Sequence, residues 1–113
     1  MPSDRPDDVL FQELAQSAAW IGRYIDRQSR DDFRDDQMRR DAVCMRLIVI
    51  GEAANRMSDA GRAALPELNW NGMAGLRHLL AHDYGSASPS LLWNIATVNV
   101  PALVAALKAQ GRF

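Results

Sequence analysis

Eight residues, Arg77-His78-Leu79-Leu80-Ala81-His82-Asp83-Tyr84, bring a guanidinium, two imidazoles, a carboxylate and a phenol around a pair of leucines. Arginine presents a planar cationic fork that fits a phosphate. Histidine exchanges a proton near neutral pH. Together they can stabilise a phosphate ester and move the protons its cleavage requires. Leu79 and Leu80 seek a core, so the stretch anchors itself while presenting its polar groups. Each group also has a plain structural use. Arg77 can pair with a carboxylate such as Glu52 or Asp83, His82 can meet the negative end of a helix dipole, and Tyr84 can pack and hydrogen-bond locally. His78 and His82, four apart, could offer two metal ligands from one helix. No third ligand is evident, so no metal and no other cofactor is expected.

These groups must be placed by a helix. Residues on an α-helix turn by about 100° each, so Arg77 and Tyr84 share a face while His82 lies about 140° away. Arg77 and His82 therefore meet only if the helix loosens near Ala81, if the long Arg77 side chain reaches across, or if a two-fold partner supplies a second Arg and His across a shared cleft. This helix is predicted from about Trp70, with Asn69 as N-cap, to a stop at Gly85-Ser86-Ala87.

Three further long helices follow from spacing. Leu10, Leu14, Ala18, Ile21 and Ile25 make one face of a first helix that begins near Asp7, where Asp7 and Asp8 suit the N-terminal dipole. Phe11, Trp20 and Tyr24 lie beside that stripe and are expected mainly as core, though they can widen it into a second contact surface. Gln28 to Asp36 is charged and reads as punctuation. A second helix spans roughly Asp35 to Met57; its centre, Ala42 to Ile50, is apolar except for Arg46. A helix apolar all round is surrounded by protein, and a chain this short barely supplies the cover, so a homodimer is expected. Gly51, Ala53 and Ala54 would let another helix approach. Ser58 to Leu68 reads as a connection with one short helical turn. Ser88 caps a last helix with Pro89 at its first position. Leu91, Ile95, Val98 and Ala102 form its stripe, Pro101 kinks or restarts it, and Gly111 follows its end. No stretch alternates with period two. The expectation is an all-α, antiparallel four-helix bundle, with the helices around 35–57 and 70–84 carrying most of the core.

Composition agrees with one domain over residues 1–113, with 1–6 as a tail. The chain is 48% hydrophobic and 24% charged, with 13 Lys+Arg against 14 Asp+Glu. A net charge of −1 argues against a general nucleic-acid coat, and DNA binding is not expected; RNA would bind at a local basic patch. Twelve of the 13 basic residues are arginines, which suit phosphates and ion pairs alike. Cys44 is the only cysteine, which rules out an internal disulfide. The polar N-terminus and the apparent lack of an apolar run near the ~20 residues of a membrane helix lead to an expectation of no membrane association and a cytoplasmic location.

Arg-x4-His-x-Tyr at Arg77, His82 and Tyr84 resembles the signature of the HepT-like branch of the HEPN superfamily. The likeness continues through Asp41-Ala42-Val43 and Ile50-Gly51-Glu52-Ala53-Ala54-Asn55-Arg56, through Pro66-Glu67-Leu68-Asn69-Trp70, through Gly72-Met73-Ala74-Gly75-Leu76-Arg77, and through Trp93 and Val100-Pro101-Ala102-Leu103. It spans about Arg39 to Leu107. The family commonly has Asn directly after the Arg, where this chain has His78. The resemblance implies a homodimeric HEPN-like bundle with two motif copies near the two-fold axis. It implies a type VII-like toxin: a metal-independent endoribonuclease in which the RNA 2′-hydroxyl attacks the adjacent phosphate. His82 would be the acid or base and Arg77 would hold the phosphate. Apart from the resemblance, the charge of Arg46 and the polar ring of His78 make them further expected RNA or phosphate contacts. It also implies a nucleotidyltransferase antitoxin that attaches AMP to Tyr84. The competing expectation is a non-catalytic helical dimer that docks a nucleotidyltransferase or binds a nucleotide.

Overall fold

The computed structural model describes residues 6–82 and 88–113, and the backbone alone of Ala81 and His82. Asp83, Tyr84 and the helix stop expected at Gly85-Ser86-Ala87 lie outside the described residues. The described elements are all helical: α1 (Asp7–Ile25), α2 (Arg30–Arg34), α3 (Gln37–Arg56), α4 (Asp59–Ala64), α5 (Trp70–His82), α6 (Pro89–Asn94), a π-helical segment (Ile95–Asn99) and α7 (Val100–Ala109). Together they form the helical bundle the sequence predicts.

Helix α3 lies at the centre and packs chiefly against α1 and α5. Its N-cap is Asp36, whose carboxylate accepts from the Arg39 N–H at 3.0 Å. Three contacts set α1 antiparallel to α3: Asp7 accepts from the Ser58 N–H at 3.2 Å, the Arg46 guanidinium lies over the Trp20 ring, and Arg39 donates to the Tyr24 carbonyl. The α1 stripe buries Leu10, Phe11, Leu14, Ala18 and Ile21. α3 buries Val43, Cys44, Leu47, Ile50, Gly51, Ala53 and Ala54. α7 adds Val100, Leu103, Ala106 and Leu107. Of the described side chains on α5, Trp70 and Leu80 are buried, with Met73 and Leu76 packed at the margin. The core is thus centred on α3, which packs most extensively with α5 and α1, while α1 and α7 supply more fully buried side chains than the described part of α5. α5 lies against one flank of α3 and keeps the rest of its surface for other work.

The stretch read as punctuation contains α2. Ser29 and Asp32 form a capping box, each side chain accepting from the other's backbone N–H at 3.0 Å; two orphan donors are satisfied reciprocally. Phe33 is buried against Trp93, ring centroids 5.4 Å apart. A helix of five residues is too short for hydrophobic periodicity to reveal.

Local signals elsewhere act as read. Asn69 accepts from the Gly72 N–H at 2.9 Å at the start of α5, and the Trp70 indole donates to the Leu65 carbonyl at 3.0 Å, which ties α5 to the end of the preceding connection. Ser88 caps α6 through the Leu91 N–H at 3.0 Å, with Pro89 following. Pro101 cannot donate to the helical ladder. The turn before it widens into the π segment, where the Thr97 hydroxyl donates to the Trp93 carbonyl at 2.7 Å; such bulges absorb one extra residue. Gly111, at φ +68°, closes α7 in a Schellman motif: Arg112 N–H reaches the Leu107 carbonyl at 2.8 Å and Gly111 N–H the Lys108 carbonyl at 3.0 Å.

The last helix corrects two expectations. Its buried stripe is Leu92, Ala96, Val100, Leu103 and Leu107, while Leu91 is exposed and Val98 is 65% exposed. Both stripes are apolar, and the buried one is already set at Leu92, ahead of the π segment, and continues through it at Ala96. By length and composition alone, Pro89–Ala109 also meets the requirement for a membrane span, with mean hydropathy 1.6. Asn94, Asn99 and Pro101 interrupt the run by eye, yet its average stays high enough to pass. One face of this rod is core here, and a buried helix of a compact bundle passes the same measure.

Gly51 sets the α3–α5 spacing. A Cβ built there would stand 2.5 Å from the Arg77 Cβ and 2.8 Å from the Arg77 backbone nitrogen. Alanine is the better helix former by about 0.8–1.0 kcal/mol, yet here it meets backbone that cannot rotate away. Gly51→Ala is therefore expected to destabilise the fold by about 1–3 kcal/mol, the usual cost of overpacking, measured as a fall in denaturation midpoint. A more stable variant would contradict this contact.

Candidate functional site

Arg77 emerges from α5 where that helix presses on Gly51, and the next residue on α3, Glu52, receives it. Arg77 Nη1 lies 3.0 Å from Glu52 Oε2, and Arg56 Nε lies 2.8 Å from Glu52 Oε1. One carboxylate thus bridges two guanidiniums. Arg77 is 37% exposed and Glu52 36%, so the pair sits at a protein–water boundary, where an ion pair orients more than it stabilises. Of the two partners the sequence offered Arg77, the structure brings up Glu52. Arg77 Nε is buried and has no hydrogen-bond partner among the described residues. The guanidinium is held at one corner and still has donors to give.

His82 is the last residue of α5, and the helix remains α-helical up to it. The loosening near Ala81 that would bring Arg77 and His82 to one point is not seen. Five residues along a regular helix separate the two by about 7.5 Å of rise and about 140° of turn. Convergence then requires the reach of the arginine or a second copy of the segment. His78 is exposed on α5, one residue beyond Arg77. Arg46 is not beside Arg77: it lies six residues before Glu52 on α3, with its guanidinium carbon 5.7 Å from the Trp20 ring centroid. Tyr84 lies outside the described residues.

Cys44 is buried. Burial, with Asp41 nearby, pushes its thiol up to about 11, so it stays protonated at neutral pH and is no nucleophile. Sequence reasoning missed that Glu52 bridges both Arg77 and Arg56. The i, i+4 spacing of Glu52 and Arg56 signalled one half of that bridge.

An all-helical bundle that carries Arg-x4-His on a helix braced against its central helix defines the HEPN class of domain. Within that class the family model for "Ribonuclease HepT-like" matches residues 14–109, and the chain belongs to this HepT-like ribonuclease family. Similar proteins bear concordant names. "Putative RNase MJ1380" of Methanocaldococcus jannaschii is 30% identical over 89% of this chain and 93% of its own length. "Putative RNase MJ0127" of the same organism is 35% identical over 82% of this chain and 77% of its own length. "Putative RNase TTE0752" of Caldanaerobacter subterraneus subsp. tengcongensis is 24% identical over 91% of this chain and 89% of its own length. No solved structure matches significantly. Family and names together support ribonuclease activity.

Proposed function

We propose that this protein is the toxin of a type VII-like toxin–antitoxin pair, a metal-independent endoribonuclease that works as a homodimer. The observation that carries the reading is the Arg77 guanidinium, fixed by Glu52 at the α3–α5 crossing and on the same helix as His82. The 2′-hydroxyl attacks the adjacent phosphorus and loses its proton to a base. The bond from phosphorus to the 5′-oxygen breaks, and that oxygen takes a proton from an acid. The products are a 2′,3′-cyclic phosphate and a 5′-hydroxyl. His82 serves one proton transfer, and Arg77 neutralises the charge that builds on the phosphoryl oxygens. A second copy, with its own Arg and His across a shared cleft, supplies the other proton transfer. His78, exposed beside Arg77, is a further phosphate contact in this reading.

The dimer also accounts for apolar surface that the bundle leaves uncovered. On α3, Met45 is 58% exposed, and Leu79 on α5 is exposed as well. Sedimentation at micromolar concentration is expected to give a species of twice 12.6 kDa. A 12.6 kDa species alone would remove the two-copy site.

In control, a nucleotidyltransferase antitoxin transfers AMP to Tyr84. A second reading, a non-catalytic dimer that docks such an enzyme, draws on the same ion pair, since Glu52 already neutralises part of the charge on Arg77. Incubation of the purified protein with total RNA in EDTA separates the two. Loss of full-length RNA that is absent from an Arg77→Ala/His82→Ala variant supports the nuclease; intact RNA in both supports docking.

A further inference from the structure

Trp20 and Tyr24 are neither core nor bare surface. Both are half-buried on α1, and their rings stack with centroids 5.9 Å apart at 27°. Two guanidiniums lie over the indole, Arg23 at 4.9 Å and Arg46 at 5.7 Å from its centroid. Among the described residues neither arginine is in an ion pair. The cluster is therefore a stacked aromatic step with two guanidiniums over its indole. In a chain of net charge −1 that is a local exception.

The step opens on a groove between α1 and α3, about 550 Å³ in volume, walled by Gln16, Ser17, Arg46, Val49, Glu13 and Glu52 among others. Glu52 at the far end is the carboxylate that holds Arg77. Arg46 and Glu52, six residues apart, are about 9 Å apart along the helix axis. At one end Glu52 is shared between Arg77 and Arg56, and at the other the Arg46 guanidinium attracts a phosphate. Glu13, Arg46 and Glu52 line it beside Ile48 and Val49, and the core of a protein–protein interface is depleted in charge.

We propose that this surface is a stacking subsite for a single-stranded stretch of RNA that continues beyond the cleavage position. A nucleobase stacks on the Trp20–Tyr24 step or on the guanidinium planes above it, and Arg23 and Arg46 take the flanking phosphates. Stacking of this kind tolerates any base, because every base offers a π-face. Trp20 and Arg46 are thus positioning residues, and the proposal rests on the ribonuclease reading of the site around Arg77.

The test uses the full-length protein and a short, fluorescently labelled single strand with 2′-O-methyl groups throughout, which cannot be cleaved through its own 2′-oxygen. Binding is read by anisotropy, so the result does not depend on catalysis. Trp20→Ala is expected to weaken binding about 5- to 150-fold, the range for loss of one base–aromatic stack, and Trp20→Phe to keep most of the affinity. Arg23→Ala, a change at an exposed position, is expected to weaken binding and flatten its salt dependence. On cleavable RNA, Trp20→Ala should raise KM and leave kcat nearly unchanged. Binding by Trp20→Ala and Arg23→Ala equal to wild type overturns the proposal. So does a change in sedimentation caused by Trp20→Ala, which would make the face a contact between copies. If the wild type binds the strand through Trp20 but cleaves no RNA, the subsite stands and the nuclease reading falls.

Discussion

His82→Ala is expected to lower RNA cleavage by about 10²–10⁴-fold, the usual contribution of a positioned acid or base, and to relieve growth inhibition with the fold retained. The helix that carries His82 is anchored by Trp70 at its start and Leu80 near its end. Arg77→Ala is expected to have a comparable effect by another route. The phosphate loses its forked cation, while Glu52 keeps Arg56 and is not stranded. Arg77→Lys restores activity only in part, since a point charge replaces a planar fork. Initial cleavage rates beside circular dichroism separate lost chemistry from lost fold. Full toxicity in a folded His82→Ala protein would remove the nuclease assignment.

The second large effect concerns Tyr84. Two residues after His82, its phenol is expected to accept AMP from a partner nucleotidyltransferase, with complete silencing as the outcome. The added phosphate competes with RNA for Arg77, and the adenosine occupies the cleft. Intact-mass spectrometry after incubation with partner, ATP and magnesium should show a gain of one or more AMP units on wild type and none on Tyr84→Phe, together with loss of cleavage. No gain, or a gain that persists in Tyr84→Phe, would reject this mode of control.

The helices were legible wherever a local signal fixed them. Asn69 and Ser88 cap as their types and positions imply, because capping involves a donor three residues away and no tertiary partner. α2 was not legible through periodicity, though Ser29-x-x-Asp32 was the available sign. The last helix misled because two adjacent stripes are both apolar. Which of them meets the core depends on how the helix is set against its neighbours, and no spacing within it encodes that. For the site, sequence named Glu52 and Asp83 as partners for Arg77 but could not choose, since the choice depends on the close approach at Gly51. It placed Arg46 near phosphate from charge alone. That Arg46 sits over Trp20 depends on how α1 lies against α3, and no spacing within either helix encodes it.

In the proposed reaction Arg77 and His82 direct the RNA's own 2′-hydroxyl against the neighbouring phosphate without a metal. The most direct measurement is the chemical identity of the 3′ ends that purified protein generates from RNA in EDTA, determined by mass spectrometry beside the Arg77→Ala/His82→Ala variant. The wild-type digest is expected to carry 2′,3′-cyclic phosphate ends, and the variant none. Products ending in a 3′-hydroxyl, cleavage that requires a divalent cation, or equal cleavage by the variant would contradict it.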